Sequence, residues 1–124
     1  MKLTGLYNFK NEIHVFRIYD KTIPEGYRVL VDRLWPRGIS KEKANLNCWW
    51  KEIAPEAELR RWFNHDAKKW NEFRLKYLNE LDLKSDIVEK YLEKVNYADL
   101  IILYGAKEKQ YNHAWIIKEY LERR

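Results

Sequence analysis

Gly26-Tyr27-Arg28-Val29-Leu30-Val31-Asp32-Arg33-Leu34-Trp35-Pro36-Arg37-Gly38 is the stretch whose reading decides how the chain folds. Its centre, Val29 to Val31, is continuously apolar and stops at Asp32-Arg33. Such a run suits a strand buried on both faces, the situation of a parallel sheet. The Trp-Pro-Arg-Gly that follows reads as a turn. A buried strand that ends in an acid, two guanidiniums and a Pro/Gly turn predicts a site, because loops at strand ends carry binding and catalytic groups on a rigid scaffold.

The strongest strand lies far downstream. Leu100-Ile101-Ile102-Leu103-Tyr104 holds two β-branched residues and is bounded by Asp99 and Gly105. The sequence between the two strands is helical. Pro55 fits a first helical position, with Glu56 and Glu58 near the positive end of the dipole and Leu59, Trp62 and Phe63 as the apolar stripe. Asn64-His65-Asp66 interrupts that helix and offers capping side chains. Trp70, Phe73, Tyr77 and Leu81 then recur at helical spacing. Ser85 is predicted to cap a further helix that buries Ile87, Val88, Tyr91, Leu92 and Val95.

Strands separated by helical sequence form a crossover, so the two are expected to lie parallel in one sheet. Parallel strands bring their carboxyl ends to one edge. There Asp32 to Arg37 is predicted to meet Tyr104-Gly105-Ala106-Lys107 and the amino end of a last helix at Asn112-His113. That helix places Ala114, Ile117 and Leu121 on one face, with Ile116 and Tyr120 beside it.

Upstream, residues 1–12 show no clear period and read as a short arm or strand packed through Leu3, Leu6 and Phe9. His14 to Tyr19 alternates as a strand. Asp20 to Gly26 is too short for a crossover helix, so these first two strands, if neighbours, are expected to pair antiparallel. Ser40 is predicted to cap a helical turn through Lys41-Glu42-Lys43-Ala44, and Cys48-Trp49-Trp50 reads as an apolar cluster. The fold class that results is α/β, a small, mostly parallel sheet with helices packed on it, as one domain over residues 1–124.

Composition narrows the function classes. Hydrophobic residues make up 46% of the chain, enough for one core, and 35% are charged, with no apolar run near the roughly 20 residues a membrane span needs. Met1-Lys2-Leu3-Thr4-Gly5-Leu6 lacks a secretory pattern, and the lone Cys48 forms no intrachain disulfide, so a cytoplasmic location is expected. A net charge of +5 permits contact with phosphates or nucleic acid. Acids and bases are interleaved, however, and no dense basic tract occurs. A small anionic ligand is therefore the first partner expected and nucleic acid the second; no membrane is expected, and oligomeric state is left open.

Gly-x-Gly-x-x-Gly, the Walker loop and Gly-x-Ser-x-Gly are absent, and His14, His65, His113 and Cys48 show no ligand spacing. No metal and no cofactor are expected.

The candidate site has two halves. Arg33 and Arg37 offer forked donors suited to phosphate or carboxylate, with Asp32 to orient an arginine or accept a proton. Trp35 stands in the loop between those arginines, whereas Trp62, Phe63, Trp70, Phe73 and Tyr77 fall at core spacing. Lys107, Asn112 and His113 form the second half, at a helix start that attracts anions. His113, together with Asp32, is the acid–base candidate, since imidazole as a class titrates near neutrality. His65 is a further ligand-binding candidate. The plainer readings are an internal Asp32–arginine pair, Trp35 as a core plug, Asn112 as an ordinary cap and His113 as a surface residue. Function stays open among an anion-binding domain that acts through acid–base chemistry or by binding alone, a nucleic-acid module, and a partner-binding protein with an internal ion-pair knot.

Taken with Asp32-Arg33-Leu34-Trp35-Pro36-Arg37-Gly38, other segments resemble a known family. They include His14-Val15-Phe16-Arg17-Ile18-Tyr19-Asp20, Lys51-Glu52-Ile53-Ala54-Pro55, Glu58-Leu59-Arg60-Arg61-Trp62-Phe63-Asn64-His65-Asp66 and Leu103-Tyr104-Gly105-Ala106-Lys107, with Asn112-His113-Ala114. From about residue 14 onward the chain resembles the YeaO-like branch of domain-of-unknown-function family 488. The resemblance implies a small cytosolic α/β protein and brings no reaction or cofactor with it. Longer relatives carry a Cys-His-Arg type motif after the late strand; here that region reads Tyr111-Asn112-His113-Ala114, without a thiol.

Overall fold

A computed structural model describes residues 12–95 and 98–123. Four strands, β1 (Ile13–Arg17), β2 (Tyr27–Leu30), β3 (Cys48–Trp49) and β4 (Leu100–Tyr104), form one sheet in the order β1-β4-β2-β3, and every pairing is parallel. The helices are α1 (Lys41–Ala44), α2 (Ala57–Phe63), α3 (Trp70–Leu83), α4 (Ser85–Glu93) and α5 (His113–Arg123), with 3₁₀ turns at Lys51–Ile53 and Ala67–Lys69. The α/β reading holds, and β4 lies beside β2 with Val29 opposite Ile102 and Leu30 opposite Leu103.

β4 is buried along its whole length, so its side chains divide between two cores by the two-residue period of a strand. Leu100, Ile102 and Tyr104 join Val29 and Val31 against Phe73, Tyr77, Leu81, Val88, Leu92, Ile116 and Ile117 of the helices. Ile101 and Leu103 turn the other way, to Leu30, Ile18 and Ala44, and loop residues Ile23, Trp35, Ile39 and Leu46 pack over them. One face of the sheet is thus covered by helices and the other by loops. Each fully buried Leu or Ile contributes about 1.5–3 kcal/mol.

The condition on which β1 and β2 were expected to pair antiparallel is not met. The two are not neighbours: β4 lies between them and both run parallel to it. Residues 18–26 cross the loop-covered face without a helix, anchored by Ile18 and Ile23 in the second core. The Arg28 guanidinium donates to the carbonyls of Ile23 and Pro24, which pins the crossing to β2. Cys48-Trp49 is likewise more than an apolar cluster, since it adds the edge strand β3 to β2. Ser85 is the first residue of α4 and not its cap; the chain passes from α3 to α4 through Lys84, whose N–H still bonds Glu80 O and Leu81 O. Ser40 caps α1 as expected, its Oγ accepting from Lys43 N at 3.1 Å. The arm read over residues 1–12 lies outside the described residues except for Glu12, whose N–H donates to Asp99 Oδ1.

Gly26 is required where the crossing enters β2. A Cβ there would stand 2.6 Å from Asp99 O and 2.8 Å from Ile101 Cγ1, and a carbonyl already accepting the Tyr27 N–H does not yield. Gly26→Ala is expected to lower the unfolding free energy by about 1–3 kcal/mol, read from the urea midpoint.

α3 and α5 are tied by Arg74, whose Nε donates to Glu119 Oε1 at 2.8 Å and whose terminal nitrogen reaches Glu119 Oε2. The hydrogen bonds from Arg74, followed by the charges of Arg74 and Arg123, hold the Glu119 carboxyl below the ordinary carboxylate range against a partial desolvation. A carboxyl depressed in the folded state stabilises above its unfolded value, and that share is lost as pH falls through the folded one. Glu119→Gln is therefore expected to flatten the acid limb of a stability-versus-pH profile below the ordinary carboxylate range, while Tm near neutral pH falls.

Candidate functional site

A cleft of about 270 Å³ opens at the carboxyl edge of the sheet. Each wall comes from a different element. Asp32, Arg33 and Leu34 follow β2, Ala106 follows β4, Asn112 and His113 begin α5, and Arg60, Phe63 and His65 come from the end of α2. Ala54 and Pro55 close one side; Phe73 and Tyr111 line the interior.

Asp32 is the junction. Its Oδ2 accepts the Gly105 N–H at 2.9 Å, which ties the end of β2 to the end of β4, and its carbonyl accepts the Trp49 indole N–H at 2.7 Å. Its Oδ1 lies 3.3 Å from His113 Nε2 but, buried, makes no hydrogen bond. His113 Nε2 also lies 3.0 Å from the Val31 carbonyl. The Val31 carbonyl can only accept, so this ring nitrogen carries the hydrogen. Below the ring, Tyr77 packs edge-on at 6.1 Å between centroids. Its hydroxyl donates to Ile53 O at 2.6 Å, and burial pushes the phenol well above its ordinary value, so Tyr77 serves as a neutral floor.

Arg33 is held by its tip. One terminal nitrogen donates to Ala54 O and Pro55 O, both at 3.2 Å, and stands 3.9 Å from Glu56 Oε1. Its Nε–H is buried with no acceptor. Arg60, on the last turn of α2, is exposed and has no carboxylate partner among the described residues. The sequence reading did not single out Arg60 or Tyr111. Arg60 stands inside the segment Glu58 to Asp66 that carries part of the resemblance, which was the available signal.

The remaining candidates divide. His65 lines the mouth in a left-handed conformation, φ 55°, directly after Asn64, φ 47°, which ends α2. Asn112 is buried at the cleft, but its polar atoms are spent on the cap: Oδ1 accepts from Ala114 N at 3.0 Å and Nδ2 donates to Glu108 O and Lys109 O. Trp35 faces the second core, its Nε1 donating to Ile39 O at 2.6 Å and its ring standing edge-on to Trp49. Arg37 and Lys107 are exposed and do not line the cleft; the Arg37 carbonyl accepts from the Tyr19 hydroxyl. The structure therefore brings Asp32, Arg33, His65, Asn112 and His113 together and leaves Trp35, Arg37 and Lys107 outside. Among the described residues no three of His, Cys, Asp and Glu converge as a metal site.

Two measurements check the Asp32 junction. Nitrogen-15 NMR is expected to find His113 as the Nε2–H tautomer when neutral. Asp32→Ala removes a charge-assisted acceptor from a backbone N–H and is expected to cost about 1.5–3 kcal/mol in urea unfolding.

Comparison with known proteins places this geometry. The chain is 40% identical over 106 residues to the "Uncharacterized protein YeaO" of Escherichia coli strain K12, covering 85% of this chain and 92% of that one. It is 38% identical over 81 residues to the "Uncharacterized protein Rv3073c" of Mycobacterium tuberculosis H37Rv, covering 64% of this chain and 69% of that one. No solved structure matches it. No helix among the described residues is long and apolar enough to cross a membrane. The family model described as "Inactive DUF488-N3 subclade" matches residues 12–124, every strand and helix described above, and the chain belongs to that subclade of the DUF488 family.

Proposed function

We propose that the protein binds a small anionic ligand, phosphate- or nucleotide-like, in the cleft at the carboxyl edge of the sheet, and that it does so without turnover. The observation that carries this reading is Arg33. Its guanidinium is fixed by the Ala54 and Pro55 carbonyls while its buried Nε–H is left without an acceptor. An unpaired buried donor costs about 1–3 kcal/mol, more when charged, and this guanidinium lines the cleft with a charge faced only by Glu56, 3.9 Å away. Arg60 adds a second cation at the rim, and α5 begins at the cleft, where Asn112 and His113 line it at the positive end of the helix dipole. Leu34, Phe63, Phe73 and Tyr111 give the rest of the lining an apolar character suited to an organic moiety attached to the anion.

The chemistry of the lining favours binding over reaction. Among the described residues around the cleft there is no Ser, Thr or Cys, so the imidazole oriented by Asp32 has no neighbouring hydroxyl or thiol of those types to activate. The word "inactive" in the family description agrees with that reading. Asp32 and His113 then act as an electrostatic pair at the floor of a binding site. Arg37 and Lys107, which lie away from the lining, are assigned no contact with the ligand.

Calorimetric titration with inorganic phosphate and a panel of nucleoside mono- and diphosphates tests the proposal. Binding is expected for at least one member, with Arg60→Ala weakening it by about tenfold or more. Since Arg60 is exposed, Tm should be unchanged. The absence of binding by the folded wild-type protein across the panel overturns the reading.

A further inference from the structure

The charge on the opposite face of the sheet is not explained by the cleft. A second groove, larger at about 470 Å³, runs between the crossing segment and α1, lined by Tyr19, Lys21, Ile23, Arg28 and Lys43 with Asp20 at one end. We propose that this groove binds the phosphodiester backbone of a single-stranded nucleic acid. The inference does not depend on the ligand assigned to the cleft.

Three observations carry it. The first is charge left unneutralised. Lys21 and Lys43 are exposed and pair with no acid among the described residues, and the Arg28 guanidinium bonds only to the neutral carbonyls of Ile23 and Pro24. The acid that lines the groove, Asp20, faces a cation of its own: Oδ1 stands 3.8 Å from Lys109 Nζ, and Oδ2 accepts the Arg17 N–H.

The second is number. Three cations line the one groove, Lys21 from the crossing segment, Arg28 from β2 and Lys43 from α1. A linear polyanion displaces a counterion at each phosphate it sets against such a cation, so it uses several where a single phosphate uses few.

The third is an aromatic at the groove. Tyr19 is 37% exposed, its hydroxyl is fixed to Arg37 O at 2.7 Å, and Arg17 sits 4.5 Å from its ring centroid. The guanidinium covers one face of the ring; a base stacks on the opposite face while nearby cations neutralise the backbone. A duplex presents its phosphates on a convex cylinder with its bases turned inward and cannot use a concave groove and an aromatic ring together.

The groove also adjoins the cleft. A Cβ added at Gly105 would meet Asp32 Oδ2 at 3.1 Å and both Pro36 and Tyr19 at 3.9 Å, so Asp32 and Tyr19 both pack against this residue.

Fluorescence anisotropy of a labelled oligouridylate tests the proposal. Wild-type protein is expected to bind at about 50 mM salt and to lose affinity steeply toward about 200 mM. Lys21→Glu/Lys43→Glu should weaken binding by about tenfold or more and reduce the salt slope by about 1.4, two phosphate contacts on a single strand. Tyr19→Leu should weaken binding with the slope retained, because stacking releases no counterion. The same charge change at two exposed lysines on the helix-covered side, Lys68→Glu/Lys90→Glu, serves as the control, and Lys21→Gln/Lys43→Gln provides a milder variant should charge reversal disturb folding. Absence of binding by folded wild-type protein at low salt overturns the proposal. So does an equal loss in the control, and so does a duplex of the same length bound as tightly as the single strand. A groove variant that loses phosphatidylserine vesicles but keeps the oligonucleotide assigns the groove to a lipid surface instead and equally overturns it.

Discussion

The burial of β4 on both faces is the constraint from which the other features follow. A strand of Leu100, Ile101, Ile102, Leu103 and Tyr104 has no side suited to water, so it takes a central place with a strand on either flank and a covering layer above and below. Because both flanking strands run parallel to it, their carboxyl ends share one edge. The loops leaving that edge have no hydrogen-bond ladder of their own and are secured by side chains. Asp32 supplies the central fastening, holding the Gly105 N–H while its other oxygen faces His113. The same carboxylate joins β2 to β4 and positions the imidazole, so the architecture of the edge and the chemistry of the cleft rest on one residue.

The two faces of the sheet differ in what covers them, and the difference is chemical as well as architectural. Helices α2 to α5 shield the first core with stacked and edge-on rings, among them Phe63 against Phe73 at 4.2 Å and Phe73 against Tyr77 at 5.9 Å. Loops and the single-turn α1 cover the second, smaller core, and such segments leave grooves between side chains where a helix would fill them. The cleft and the basic groove belong to these different coverings.

Much of this was legible in the chain. The periods of Val29–Val31, Leu100–Tyr104 and Trp70–Leu81 report local geometry, and burial follows from period, so strands, helices and the parallel pairing of β2 with β4 came from pattern alone. The place of β1 did not. Residues 18–26 look like a turn because turns and helix-free crossings use the same residue types, and only the docking of Ile18 and Ile23 on the second core distinguishes them. The two-residue strand β3 is too short to show a period at all. Within the site, Asp32 and His113 were found because strand ends and helix starts leave marks in sequence. Arg60 was missed because an exposed arginine on a helix is indistinguishable from a solvated one until the neighbouring elements are in place. Trp35 illustrates the reverse: between two arginines it reads as ligand-facing, yet a ring so large finds more apolar contact beneath the loop, against Trp49, than in the cleft.

What the sequence determined by itself was therefore the α/β class, the strand whose end carries the site, and the residue types available there, since each of these depends on periodicity and on side-chain chemistry within a few positions. What only the tertiary structure decided was the strand order and the composition of the cleft walls, with Arg33 and Arg60 lining them and Arg37 and Lys107 left outside. Those outcomes depend on which distant segments share a core, a property of packing over the whole chain that no local pattern encodes.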